Sequence, residues 1–162
     1  MIRAMQLADL EAIRAFWNPM IRDTLVTFSS EEKSEPAMRD WLASRDAAGF
    51  GSFTALIADQ PVGFASYCQF RGGNGYTGCM EHTIILSEAA RGQGLGRHLM
   101  QAVEDHARAA GHRLMVAAVS GGNPEGRAFH QAIGYRPSGT LPGAGRKFGR
   151  DWDLWLMHKP LQ

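Results

Sequence analysis

One hexapeptide constrains this chain more than any other stretch. Arg91-Gly92-Gln93-Gly94-Leu95-Gly96 stands between an apolar run at 79–86 and an amphipathic stretch at 94–108. The run reads as a strand and the stretch as a helix, with Leu95, Leu99, Val103 and Ala107 on its inner face. A turn of this kind exposes the unpaired N–H groups and partial positive charge of a helix start, which favour an anion. Glycines at 92, 94 and 96 let that backbone reach phosphate oxygens, and Arg91 and Arg97 add charge on either side. A tight turn whose glycines serve only packing is the competing reading.

Spacing excludes two phosphate motifs. A P-loop ends its glycine run on Lys-Ser or Lys-Thr; Lys33-Ser34 lies elsewhere, without the glycines. The dinucleotide fingerprint is Gly-x-Gly-x-x-Gly, whereas the interval here is Gly-x-Gly-x-Gly.

Around this centre the pattern predicts a strand at 1–5 and a helix capped by Asp9, with Leu10, Ile13, Trp17 and Ile21 inward. That helix should weaken at Asn18-Pro19, where the ring removes an N–H. A second helix starts near Pro36, with Met38, Trp41 and Leu42 inward. Strands at 53–58 and 62–70 flank a turn at Asp59-Gln60-Pro61, and a glycine-rich loop follows at 72–76. Residues 114–119 read as a strand covered on both faces, and 124–133 as a short helix stopped by Gly134. The chain extends again from Tyr135, and 152–158 alternates as a last strand. The order β-α-α-β-β-β-α-β-α-β-β describes a mixed α/β sheet with a parallel crossover at its centre. Residues 1–162 read as one domain, without repeat or linker.

A formal net charge of +1 gives no bulk electrostatic case for nucleic acid or a membrane surface. No run of about 18 apolar residues suggests a membrane span. The two cysteines, Cys68 and Cys79, have neither metal-ligand spacing nor a disulfide framework. A cytoplasmic protein without a metal is the expectation.

The remaining pattern, Arg-x-x-Gly-x-Gly after an apolar strand, resembles the pyrophosphate loop of the GCN5-related N-acetyltransferase (GNAT) superfamily. Residues 123–135, opening on Asn123-Pro124 and closing on Gly134-Tyr135, look like its second cofactor segment. Glu81-His82-Thr83-Ile84-Ile85-Leu86-Ser87 and Lys147-Phe148-Gly149-Arg150 are similar to its phosphinothricin and methionine sulfoximine acetyltransferase branch. So are Trp17-Asn18, Thr24 and Thr27-Phe28. The chain departs from that branch at Gly126, where serine is frequent, at Arg146, and at Asp151, where tryptophan is common.

The resemblance implies a mostly antiparallel GNAT sheet, with a splayed fourth and fifth strand and flanking helices. It implies an acetyl-CoA-dependent N-acetyltransferase acting on a small amino-acid-like amine, and a homodimer. Cofactor contacts would come from Ile84, Ile85, Leu86, Arg91, Gly92, Gln93, Gly94, Leu95, Gly96, Arg97 and Asn123. A backbone N–H of Ile85 or Leu86 would face the thioester oxygen. Glu81 stands where the branch has its base, and His130 where much of the superfamily has a tyrosine that protonates sulfur. The residues support parts of this independently. A carboxylate in a partly buried strand has its pKa raised by desolvation, although a surface glutamate would look the same. His82 should point to the opposite face and reach the site only through a bulge.

For the acceptor, Arg71 suits a carboxylate, with Gly73, Asn74, Gly75 and Tyr76 in the loop beside it. Phe28 and Tyr76 are expected as walls, and Lys147 as a charge at the rim. A protein or peptide N-acetyltransferase and a non-catalytic acetyl-CoA sensor stay open as alternatives.

Overall fold

The computed structural model describes Met1–Gln162. Its strands are β1 (Ile2–Ala4), β2 (Ser52–Ile57), β3 (Gln60–Gln69), β4 (Cys79–Leu86), β5 (Leu114–Ser120), β6 (Arg136–Lys147) and β7 (Arg150–Pro160). Its helices are α1 (Leu10–Asp23), α2 (Glu35–Ala47), α3 (Leu95–Ala109) and α4 (Pro124–Ala132). The strands join in one sheet in the order β1-β2-β3-β4-β5-β7-β6. Every pairing is antiparallel except β4 with β5, the pair joined through α3. A parallel return needs such a crossover, whereas β2/β3 and β6/β7 close through short turns.

Alternation along the strands divides the apolar residues between two layers. On one face Leu99, Met100, Val103 and Ala107 of α3 pack on Ala65, Tyr67, Met80 and Met115. On the other, Ile13, Trp17 and Ile21 of α1 and Met38 and Leu42 of α2 pack on Phe64 and Ile85.

Three local expectations are corrected. Helix α1 runs through Pro19 without a break, because ending it there would expose Ile21, which is fully buried. Asp9 does not cap that helix. Its carboxylate takes two 2.7 Å hydrogen bonds from Arg3 and others from the Gln6 amide and Thr54 hydroxyl, tying β1 to β2. The β2–β3 turn sits at Ala58-Asp59, both with positive φ (46° and 63°), as a two-residue hairpin requires. Gln60 and Pro61 already pair with Ile57 and Leu56.

The decisive feature is how briefly β4 and β5 stay together. They pair at Cys79↔Leu114, Met80↔Met115 and Glu81↔Val116. Beyond Glu81, β4 follows β3 to Leu86 while β5 follows β7 to Ser120. The sheet opens there into a V.

Candidate active site

A cleft of about 300 Å³ occupies the opening of the V. Residues 81–85 of β4 form one wall and Ala118 and Val119 of β5 the other, with Asn123 and His130 from α4. Trp17 and Ile21 of α1, the following loop at Val26, Thr27 and Ser29, and Lys33 complete it. A second pocket of about 310 Å³ shares Val26, Ile84, Ile85 and Asn123 with the first and runs on to Arg91, Gly92 and Phe129. Together they form one groove, leading from Glu81 to the start of α3.

Backbone pairing decides which groups of β4 face this groove. The Phe70 amide donates to Cys79 O and the Ser87 amide to Val62 O. With the continuous β3–β4 register, the odd-numbered β4 residues therefore bond to β3. Ile85 is thus turned away through its backbone, which corrects that half of the oxyanion expectation. The N–H groups of Ile84 and Leu86 face the opening.

At the start of α3, Gly92 and Gly94 have φ of 72° and 74°, a conformation that favours glycine. No side chain caps this helix, so its first N–H groups are available to a ligand. The flanking side chains serve other ends. Leu95 is buried in the core, and Gln93 donates back to Ala89 O at 2.7 Å. Arg97 donates to Ala132 O at the end of α4. Arg91 is exposed beside Glu125, 3.9 Å away, at the mouth of the groove. The residues fit a diphosphate through the backbone and Arg91, while the Gln93 side chain is turned back on Ala89.

Asn123 caps α4, its Oδ1 accepting from the Gly126 amide at 3.0 Å. Its Nδ2 has no protein partner, and Asn123 lines both pockets, a fit for an acceptor group of a pantetheine arm. A Cβ at position 126 would meet the Asn123 side-chain amide, so a larger residue there would shift that amide.

Glu81 is partly buried, and desolvation alone pushes its pKa up. No neighbouring cation or hydrogen-bond donor opposes that shift. A carboxyl so placed is suited to accept a proton near neutral pH.

His82 reaches the cleft although β4 has no bulge against β3. Separation of the strands, not an irregularity, opens both faces of β4 to the same space. Its ring stacks on His130, with Nε2 atoms 3.1 Å apart. His130 Nδ1 lies 2.6 Å from Gly126 O, to which only a protonated nitrogen can donate. Burial lowers the pKa of both rings, that of His82 furthest. Both nitrogens of His130 are thus engaged on a neutral ring, which argues against its protonating sulfur.

Three acceptor expectations fall elsewhere. Lys147 is 5% exposed, and its ammonium donates to Ile21 O (2.6 Å), Thr24 O (2.6 Å) and Thr27 O (2.8 Å). An ammonium has three N–H groups, so none is left for substrate. Lys147 holds the end of α1 and the loop that lines the cleft. Phe28 turns away and packs against Gly145, where a Cβ would collide with its ring. Arg71 lies over the Tyr76 ring at 5.3 Å, while Gln69 holds the carbonyls of Arg71 and Gly73. This loop, with Asn74 and Gly75, begins at the β3–β4 hairpin end, about 7 Å along the strand from Glu81, and does not line the cleft. Sequence reading missed Lys33, which does. No three His, Cys, Asp or Glu side chains converge as a metal site.

Residues 12–135 match the acetyltransferase (GNAT) family. A methionine sulfoximine/methionine sulfone acetyltransferase of Pseudomonas paraeruginosa is 34% identical, covering 96% of this chain and 91% of that protein. The crystal structure of a Brucella melitensis ribosomal-protein-alanine N-acetyltransferase superposes with a TM-score of 0.95 at 33% identity, covering 99% of both chains. A Sinorhizobium meliloti phosphinothricin acetyltransferase, solved in complex with acetyl-CoA, gives 0.94 at 28% identity over 99% of this chain and 87% of that one. Sequence, sheet topology and the splayed groove agree that this chain belongs to the GNAT family of acetyltransferases.

Proposed function

We propose that this enzyme acetylates the amine of a small amino-acid-like acceptor of the methionine sulfoximine, methionine sulfone or phosphinothricin type, consuming acetyl-CoA as its second substrate. The observation that carries this reading is Glu81, a desolvated carboxylate without a partner, in the cleft that continues past Ile84, Ile85 and Asn123 into the groove from α3. The donor substrate supplies an activated acetyl group; its diphosphate suits the first turn of α3 and its pantetheine arm suits Asn123 Nδ2.

Glu81 takes a proton from the acceptor's ammonium, leaving a lone pair to attack the acetyl carbon. The N–H of Ile84 or Leu86 stabilises the charge that grows on the carbonyl oxygen, a contribution of roughly 3–4 kcal/mol for a fixed donor. The C–S bond breaks as the C–N bond forms, and the sulfur takes the proton lost by the new amide nitrogen. His82 and His130, held neutral, shape the wall behind Glu81.

A peptide N-terminus is the second reading, favoured by the similarity to the ribosomal-protein-alanine enzyme. We propose further that residues 1–162 act as one domain in the cytoplasm, where Cys68 and Cys79 stay free thiols. Homodimerisation through the outer edge of β6 is supported by the exposed Leu141 and Phe148 near it. A thiol-release assay with acetyl-CoA tests the reaction against methionine sulfone, phosphinothricin and an alanine-initiated peptide. Turnover confined to the peptide would replace the first reading with the second.

A further inference from the structure

Two residues lining the cleft carry formal charge at neutral pH, and they have opposite sign: Glu81 and Lys33. Lys33 lies in the segment between α1 and α2. Its backbone is pinned to α1 by Asn18, whose Oδ1 accepts from the Lys33 amide at 2.7 Å and whose Nδ2 donates to its carbonyl at 3.0 Å. The side chain is carried over Trp17, with the ammonium 5.6 Å from the ring centroid. Of the nearby acidic residues, Glu32 pairs with Arg22 at 3.4 Å and Glu35 with Arg39 at 2.9 Å, and Glu31 makes no ion pair. No carboxylate of the chain pairs with Lys33. Lys147, the other lysine beside this loop, has all its N–H groups on carbonyls.

A half-buried ammonium against an aromatic face, positioned by two backbone bonds and lacking a counter-ion, is prepared for an anion from outside the chain. Its attraction to that anion is stronger in the cleft than in bulk water, because the effective dielectric is lower. We infer that Lys33 is the anion subsite of the acceptor cleft and binds the carboxylate of an amino-acid acceptor whose amine is presented to Glu81. This rests on reading the cleft as the amine-acceptor site. It assigns to Lys33 the task that residue type alone suggested for Arg71. It also sets a specificity: an acceptor whose carboxylate is replaced by a neutral amide, as in a peptide, loses this contact.

Isothermal titration calorimetry with the whole enzyme and L-methionine sulfone, against L-methionine sulfone amide, tests this without turnover. The wild-type protein should bind the acid at least about tenfold more tightly than the amide. That factor equals about 1.4 kcal/mol. Lys33→Gln should bring the acid down to the level of the amide and leave the amide unchanged, and Lys33→Arg should restore much of the preference. In thiol-release assays Lys33→Gln should raise KM for the acid, with KM for acetyl-CoA unaltered. Equal binding of acid and amide by the wild type overturns the inference, as does a preference that survives Lys33→Gln, or no binding of either compound at millimolar concentration. An acid preference in calorimetry without thiol release from any amine would overturn the proposed reaction and leave Lys33 as an anion site.

Discussion

The Nε2 atoms of His82 and His130 lie 3.1 Å apart on rings inclined by only 22°. With Nδ1 of His130 donating to Gly126 O, the single proton between the two rings belongs to His82. Adding a second proton would place a charge among buried rings, which is why both pKa values lie below the ordinary 6.5.

Acid stability should report this pair. The unfolded chain gains protons at both rings near pH 6.5 while the folded chain does not, so folding free energy falls as pH drops from there towards the folded-state values. Urea midpoints between pH 7.5 and 5.5 should decline less steeply for His82→Gln than for the wild type. Parallel declines would show that these histidines titrate normally.

Glu81→Gln should lower kcat/KM at neutral pH by about 10²–10⁴-fold, the range for a positioned base. The rise of activity with pH through the raised Glu81 pKa should vanish with it. Stability should move the other way. Above its folded-state pKa the wild-type carboxylate is charged and desolvated, a cost that glutamine lacks, so the variant should melt higher at neutral pH. The gain should disappear as pH falls below the ordinary 4.5, where glutamate is neutral in both states. Melting curves at pH 7.5 and 4 distinguish this from a general stabilisation.

Replacing Lys147 by methionine keeps the bulk and strands three carbonyls. With charge-assisted bonds at issue, a loss of about 3 kcal/mol is expected, read as a shift in the denaturation midpoint. KM for the acceptor should rise more than KM for acetyl-CoA, because Thr27 lines the acceptor cleft alone. Lys147→Arg should not rescue, since a planar guanidinium cannot reproduce a tripod of donors. Full rescue by arginine would mean that charge, not geometry, is what the site needs.

Asn123 performs two tasks that substitutions can separate. Asn123→Ala should cost about 1 kcal/mol of stability through loss of the cap and raise KM for acetyl-CoA. Asn123→Asp keeps the capping oxygen but has no Nδ2, so stability should survive while KM for acetyl-CoA still rises. Equal KM values for the aspartate variant and the wild type would remove the amide from the cofactor groove.

Residues acting near their own place in the chain were legible. The α3 stripe, the positive φ of Gly92 and Gly94 and the Asn123 cap each depend on neighbours within a few positions and appear as read. Gly96, by contrast, is buried in α3 against Phe129 and Leu86. Pro19 misled because a local penalty was weighed without the burial of Ile21 that overrides it. Lys147 misled because a lysine is presumed exposed, and its partners belong to α1 and its following loop. Lys33 was missed because a loop has no periodicity to reveal which side chains face a cleft. His82 was placed on the correct face of its strand. What the pattern could not show is that a parting of β4 from β5 opens both faces at once.

The carbonyls held by Lys147 lie 126, 123 and 120 positions away along the chain. The groove beyond Ile84, by contrast, draws mainly on positions 84–129. Contacts between distant positions carry the larger loop-closure entropy and arrive late. During refolding, the two substrates should therefore be admitted in sequence: affinity for acetyl-CoA returns first, and affinity for the amine only when Lys147 docks.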